Sequence, residues 1–198
     1  MNNESLPEKL ILASSSKYRK MLLNRFGIPF DCLAPEIDET VLPQESPHEL
    51  VARLASQKSE IVCRQYPQAV VIGSDQLAVF EGQIIGKPGT YRAALKQLKS
   101  FSGKVVEFLT SVSVQSLESG FREQHTDCTL VWFRSLQHEE IERYLEQEKP
   151  FDCAGAFKAE SLGIVLFDRI SSEDPTALIG LPLISVAAML RRAGLQLP

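Results

Sequence analysis

The segment Val70-Val71-Ile72-Gly73-Ser74-Asp75-Gln76 most constrains the fold. Three β-branched apolar residues in a row read as a buried strand. The Gly-Ser-Asp that follows predicts a small-residue turn with one carboxylate at the strand's tip. An acid in that place either caps its turn or, in a fold that also supplies cations, serves metal-assisted phosphate chemistry.

Strand and helix signals alternate before and after this segment. Lys9 to Ala13 reads as a short buried strand, followed by the hydroxyl-rich turn Ser14-Ser15-Ser16 and a helical pattern from Tyr18 to Phe26. A helix start flanked by Arg19 and Lys20 is a generic anion site, and equally a place where one serine caps the helix. Phe30 to Ala34 reads as another strand, and Pro35 ends it. Glu36, Asp38 and Glu39 then crowd three carboxylates into four residues. In an extended chain Glu36 and Asp38 share a side, so either a cation sits among these acids or water screens them. Ser46-Pro47-His48-Glu49 is a capping box with proline at the first helical position. The helix it opens carries Lys58, which is either a surface lysine or a phosphate contact.

Leu77 to Ile85 reads as a hairpin turning at Glu81-Gly82, and it delivers Lys87 between Gly86 and Pro88. Thr90 to Phe101 is helical. Lys104 to Gln115 and Thr126 to Arg134 read as an antiparallel pair of strands. Glu139 to Glu148 is a short charged helix, Gly163 to Phe167 a further strand, and Gly180-Leu181-Pro182 opens a last helix through Leu190. Early alternation with an antiparallel middle predicts a mixed-sheet α/β protein.

Bulk properties narrow the function. The chain has 198 residues, 44% hydrophobic and 23% charged, which is ordinary for a globular protein. A net charge of −4 advertises no face for nucleic acid or an anionic membrane. No apolar run approaches the roughly 20 residues of a membrane helix, and the polar start, Asn2 to Ser5, has no signal-peptide pattern. The four cysteines form no CxxC pair, so a structural zinc site is not expected, and scattered thiols suit the cytoplasm.

In order, the Ser-rich turn with Arg19, the Asp38-Glu39 pair, Lys58, Gly73-Ser74-Asp75, Gly86-Lys87-Pro88, Cys153-Ala154-Gly155 and Gly180-Leu181-Pro182 resemble the Maf-like nucleotide pyrophosphatases, from about Leu10 to about Gly194. The resemblance implies a single domain over residues 1–198. Its fold would be α/β, an elongated mixed parallel and antiparallel sheet flanked by helices, with two lobes around a central cleft as in inosine triphosphatase. It implies a cytoplasmic homodimer that hydrolyses nucleoside triphosphates to monophosphate and pyrophosphate with a divalent metal (Mg2+, Mn2+ or Co2+). Phosphate binding would fall to Ser14, Arg19, Lys58 and Lys87, metal binding to Glu36, Asp38 and Glu39, and proton acceptance to Asp75.

Ser74-Asp75-Gln76, with Phe157-Lys158-Ala159-Glu160, looks like the branch acting on 7-methyl-GTP; the dTTP and UTP branch tends to carry Ser-Asp-Thr. Three positions linked to substrate choice in that branch fall on Tyr18, Gln76 and Glu160. The chemistry is coherent. N7-methylguanine is a cation that an aromatic face attracts by roughly 0.5–2 kcal/mol. A glutamate can accept from guanine N1–H and its amine, whereas it would repel uracil carbonyls. The first motif departs from the common Ser-Pro-Arg-Arg: here it is Ser16-Lys17-Tyr18-Arg19-Lys20, with a lysine's point charge in the second cationic place. Two other readings stand beside this one: the same reaction on dTTP, UTP or other modified nucleotides, and a non-catalytic nucleotide-binding regulator of septation.

Overall fold

Alternation along the first strand sets the layers. In the computed structural model, which describes residues 9–197, β1 (Leu10–Ala13) is buried along its whole length. Leu10 and Leu12 pack with Leu22 and Leu23 of α1 (Lys17–Leu23) and with Val186, Met189 and Leu190 of α5 (Leu183–Arg192). Ile11 and Ala13 point the other way, onto Val62 and Cys63 of α2 (Pro47–Gln65). The same parity governs β3 (Val70–Phe80), where Val70 and Ile72 join the first cluster and Val71 the second. Strands apolar on both faces require helices on both faces, and these helices supply that cover. The polar stretch Asn2 to Ser5 lies outside the described residues.

Among the described residues, seven strands pair in the order β2-β1-β3-β5-β6-β7, with β4 beside β3. Here β2 is Asp31–Cys32, β4 Gln83–Ile85, β5 Val105–Ser116, β6 Phe121–Phe133 and β7 Phe167–Ser171. β1 runs parallel to β2 and β3, while β3–β4 and β6–β7 are antiparallel. β5 and β6 are joined by residues 117–120 alone, a link that only antiparallel neighbours can use. The mixed α/β sheet expected from the sequence is therefore the sheet observed.

The described residues divide into two compact units: 9–76, 110–127 and 174–197 in the first, and 77–109 and 128–173 in the second. The first holds the two clusters above. The second is built on phenylalanines. Phe101, from α3 (Tyr91–Phe101), meets Phe80 edge-on at 4.9 Å, and Phe133, Phe157 and Phe167 meet one another at 4.8–5.7 Å. Offset and edge-on rings are the arrangements their quadrupoles favour. α4 (His138–Glu148) buries Ile141, Tyr144 and Leu145 in this unit.

Several local expectations need correction. Gly73-Ser74-Asp75 is not a turn: β3 runs straight through it to Phe80, so Asp75 stands in mid-strand. Glycine is needed there because α2 comes too close for a side chain; a Cβ at Gly73 would lie 2.2 Å from the Ala55 carbonyl oxygen and 2.6 Å from the Ser59 nitrogen. The strand expected over Phe30 to Ala34 shrinks to Asp31–Cys32. The helix expected from Tyr18 to Phe26 ends at Leu23, tightens to a 3-10 turn over Asn24–Phe26 and closes on Gly27 at φ +67°. The strand expected over Gly163 to Phe167 is a 3-10 turn at Leu162–Leu166, and β7 starts only at Phe167. The Gly163 and Ser161 N–H groups both donate to the Lys158 carbonyl, which commits that stretch to turning. The capping box formed as read: Ser46 Oγ accepts from Glu49 N, and Glu49 accepts from Ser46 N.

Gly73→Ala therefore drives a methyl into the α2 backbone, which cannot yield as a flexible side chain would. Overpacking of this kind costs about 1–3 kcal/mol or more. Urea unfolding should show the midpoint falling accordingly, and an unchanged midpoint would contradict the close approach.

Candidate active site

The parity of β3 distributes its polar residues. Gly73 and Asp75 face α2, whereas Ser74 and Gln76 face the other layer. On the α2 side, Lys58 Nζ donates to Asp75 Oδ1 at 2.6 Å and meets Glu39 Oε1 at 2.8 Å. The Lys58 and Asp75 side chains are each 11% exposed, while Glu39 is 60% exposed, so the acid nearest the core is Asp75 and the solvent-side acid is Glu39.

On the other side, Ser74 Oγ donates to the Gly180 carbonyl at 3.1 Å, and Arg19 Nε donates to the same oxygen at 2.9 Å. Arg19 Nη1 reaches Ser14 Oγ at 3.5 Å. Burial pushes the Arg19 guanidinium down, and the charges of Asp75 and Glu39 oppose that; an arginine stays charged regardless. Two cations, Arg19 and Lys58, are thus gathered with two carboxylates, Asp75 and Glu39. Ser14 is buried and Ser16 caps α1, accepting from Arg19 N at 3.4 Å, so the serine turn both caps and lines the place beside Arg19.

The Glu39 loop is held by α2. Arg53 donates from Nε to Glu45 Oε1 at 2.6 Å, and from Nη2 to Glu45 Oε2 and the Thr40 carbonyl, both at 2.9 Å. The Gly180 loop has its own clamp: Asp174 accepts from Thr176 N at 2.8 Å and Ile184 N at 2.6 Å. Sequence reasoning overlooked both clamps. Asp174-Pro175-Thr176 is turn chemistry just ahead of a helix and was there to be read; the Arg53–Glu45 pairing depends on a loop path with no periodicity.

A model of the Maf-like protein family matches residues 9–193 of this sequence. The chain belongs to the Maf-like family. Among curated proteins it is 53% identical over 190 residues to the 7-methyl-GTP pyrophosphatase of Xanthomonas campestris pv. campestris strain 8004, covering 96% of this chain and 98% of that one. It is 50% identical over 190 residues to the protein of the same name from Aromatoleum aromaticum, with the same coverage. Among solved structures it is similar to the Staphylococcus aureus Ham1 protein, at 13% identity and a TM-score of 0.47 over 64% of this chain and 72% of that one, a likeness too slight to carry an argument.

The Maf-like fold brings Ser14, Arg19, Lys58, Glu39 and Asp75 into one unit, along with Tyr18 and Gln76. Lys87 and Glu160 lie in the second unit, both exposed. Tyr18 already carries a cation on its face, Lys17 Nζ at 4.9 Å from the ring centroid. Gln76 spends its amide nitrogen on Thr110 Oγ1 at 2.9 Å and on the carbonyls of Ala177 and Leu178 at 3.0 Å. The acidic trio does not gather as expected. Asp38 accepts from Thr40 N at 2.9 Å within its own loop, Glu39 turns to Lys58, and Glu36 is exposed. Among the described residues, no group of three His, Cys, Asp or Glu side chains is arranged to hold a metal.

The clamp on the Glu39 loop is pH-sensitive. Arg53's hydrogen bonds hold the Glu45 carboxyl down at about 2, against an ordinary value of 4.5. Its folded value lies below its unfolded one, so the stabilisation is complete above about 4.5 and is lost as pH falls towards about 2. Glu45→Gln should flatten that part of an acid-unfolding profile; an unaltered profile would show that the pair contributes nothing.

Proposed function

We propose that this chain hydrolyses 7-methyl-GTP to 7-methyl-GMP and pyrophosphate. The similarity to proteins named 7-methyl-GTP pyrophosphatase, along nearly the whole chain, supports the reaction class and the substrate. The observation that carries the chemistry is the Lys58-centred cluster: a buried acid and a solvent-side acid share one ammonium, with Arg19 in the same unit.

In this reading Asp75 accepts the proton of a water whose oxygen attacks phosphorus. The α–β phosphoanhydride bond breaks and pyrophosphate leaves with the electron pair. Protonation removes one of Lys58's two counter-charges, leaving its ammonium to stabilise the negative oxygens that develop on phosphate. Arg19, anchored at Nε by Gly180, turns its remaining N–H groups to phosphate, with Ser14 beside it. Lys87 is assigned as a further phosphate contact. Such general-base help is worth ~10²–10⁴-fold.

The charges support a role for a divalent metal. Arg19 and Lys58 are already balanced by Asp75 and Glu39, whereas a triphosphate brings about four negative charges. Glu39, the solvent-side acid of the cluster, is the residue that would hold Mg2+, Mn2+ or Co2+ beside a bound nucleotide, leaving Asp75 to act as the base. The bound ion would supply Lewis-acid charge at those oxygens. Tyr18 exchanges its Lys17 contact for the cationic methylated base, Glu160 accepts from the base's N1–H and amine, and Gln76 acts through the 177–180 loop it grips. The protein is taken to work as a cytoplasmic homodimer; its four cysteines are all thiols, in keeping with a reducing compartment.

Asp75→Asn keeps the shape and a hydrogen bond from Lys58 but removes the base. Pyrophosphate release from 7-methyl-GTP should fall ~10²–10⁴-fold with the melting temperature little changed, and full activity would refute the role. In a metal-supplemented panel, 7-methyl-GTP should be preferred over GTP, dTTP and UTP. Preference for the pyrimidines would overturn the base assignment, and nucleotide binding without turnover of any of them would favour a regulator.

A further inference from the structure

Glu160 stands at the tip of a closed turn, and that turn is gripped from one face of α4. The Ser161 and Gly163 N–H groups return to the Lys158 carbonyl at 3.3 and 3.1 Å. A Cβ at Gly163 would lie 2.4 Å from that oxygen, so the turn closes only with glycine there. Glu148 takes hold of it with both carboxylate oxygens. Oε1 pairs with Lys158 Nζ at 2.9 Å, while Oε2 accepts from Ser161 Oγ at 2.6 Å and from Leu162 N at 3.0 Å. The Glu148 backbone carbonyl accepts a second contact from Lys158 Nζ at 2.9 Å. One turn earlier on the same helix face, Tyr144 OH accepts from Lys158 N at 3.2 Å. The Glu148 side chain is 11% exposed. Burial alone would push its carboxyl up, but Ser161, Lys158 and the Leu162 N–H together hold it below the ordinary glutamate range.

We infer that Glu148, with Tyr144, is a positioning residue for base recognition, fixing the 158–162 turn so that Glu160 presents its carboxylate in one place. The inference rests on the reading that Glu160 accepts from the guanine edge. Glu148 touches no substrate; it acts through the turn. A carboxylate on an unheld turn would have to be ordered at each binding event, which weakens affinity for the favoured base and leaves the proton-transfer machinery, Asp75 and Lys58, unaltered.

The experiment compares kcat and KM for 7-methyl-GTP and GTP across Glu148→Ala, Ser161→Ala, Glu160→Ala and the double variant Glu148→Ala/Glu160→Ala. Glu148→Ala should raise KM for 7-methyl-GTP on the order of tenfold with kcat changed less than about twofold, and should shrink the preference over GTP. Ser161→Ala removes one hydrogen bond at an exposed position, keeps the fold, and should shift the same ratio in the same direction by less. The double variant should lose no more preference than Glu160→Ala alone, because both act through one contact. Equal loss of kcat on both nucleotides, or an intact preference in Glu148→Ala and Ser161→Ala while Glu160→Ala loses it, would overturn the positioning role alone. An intact preference in Glu160→Ala would overturn the base reading and the inference with it.

Discussion

The ion pair between Lys58 and Asp75 requires α2 to lie almost against β3, and Gly73 is what permits it. With a side chain there, the helix would stand off and Lys58 would be carried away from the strand. Once the helix is seated, burial raises the stakes of the pair. Removing Lys58 would leave Asp75 uncompensated in a poorly hydrated place, at a typical cost of about 3–5 kcal/mol, whereas neutralising Asp75 leaves Lys58 still paired with Glu39. The solvent-side partner, Glu39, is added by a loop that Arg53 of the same helix holds in place. One helix therefore supplies the ammonium, the close approach and the loop anchor.

The sheet was legible where its residues obey a period. β1 and the first half of β3 alternate between two covered faces, and the Ser46–Glu49 box marked the start of α2 to the residue. Legibility failed where tertiary packing reassigned a local signal. Gly73-Ser74-Asp75 has the composition of a turn, yet its glycine answers to a neighbouring helix and the strand continues. Gly163 to Phe167 looks apolar enough for a strand, but Ile164 and Val165 are 53% and 49% exposed, and the Gly163 and Ile164 N–H groups turn back to the carbonyls of Lys158 and Ser161. No periodicity records a contact of that sort.

The same division runs through the site. Residue type alone left Lys58 and Asp75 open between structural and chemical roles; the resemblance singled them out with Arg19, but not their pairings. The three neighbouring acids invited a shared ion, whereas the loop separates them: Asp38 serves its own backbone and Glu39 serves a lysine nineteen positions on (about five helical turns of chain if it were regular). Gln76 had the chemistry for a base contact, but its amide nitrogen is taken up by the loop that carries Gly180. That loop in turn anchors Arg19, so the amide bears on the arginine through loop carbonyls rather than by touch.

β3 carries its acid and its amide on opposite sides only because successive residues point in opposite directions. Inserting a single residue ahead of Gly73 would exchange those sides, turning the carboxylate toward the Gly180 loop and bringing a bulky residue against α2. Over evolutionary time such a strand can drift in composition far more freely than in length. Viable descendants should keep the count between Val70 and Asp75 fixed even where nearly every apolar letter has been exchanged for another.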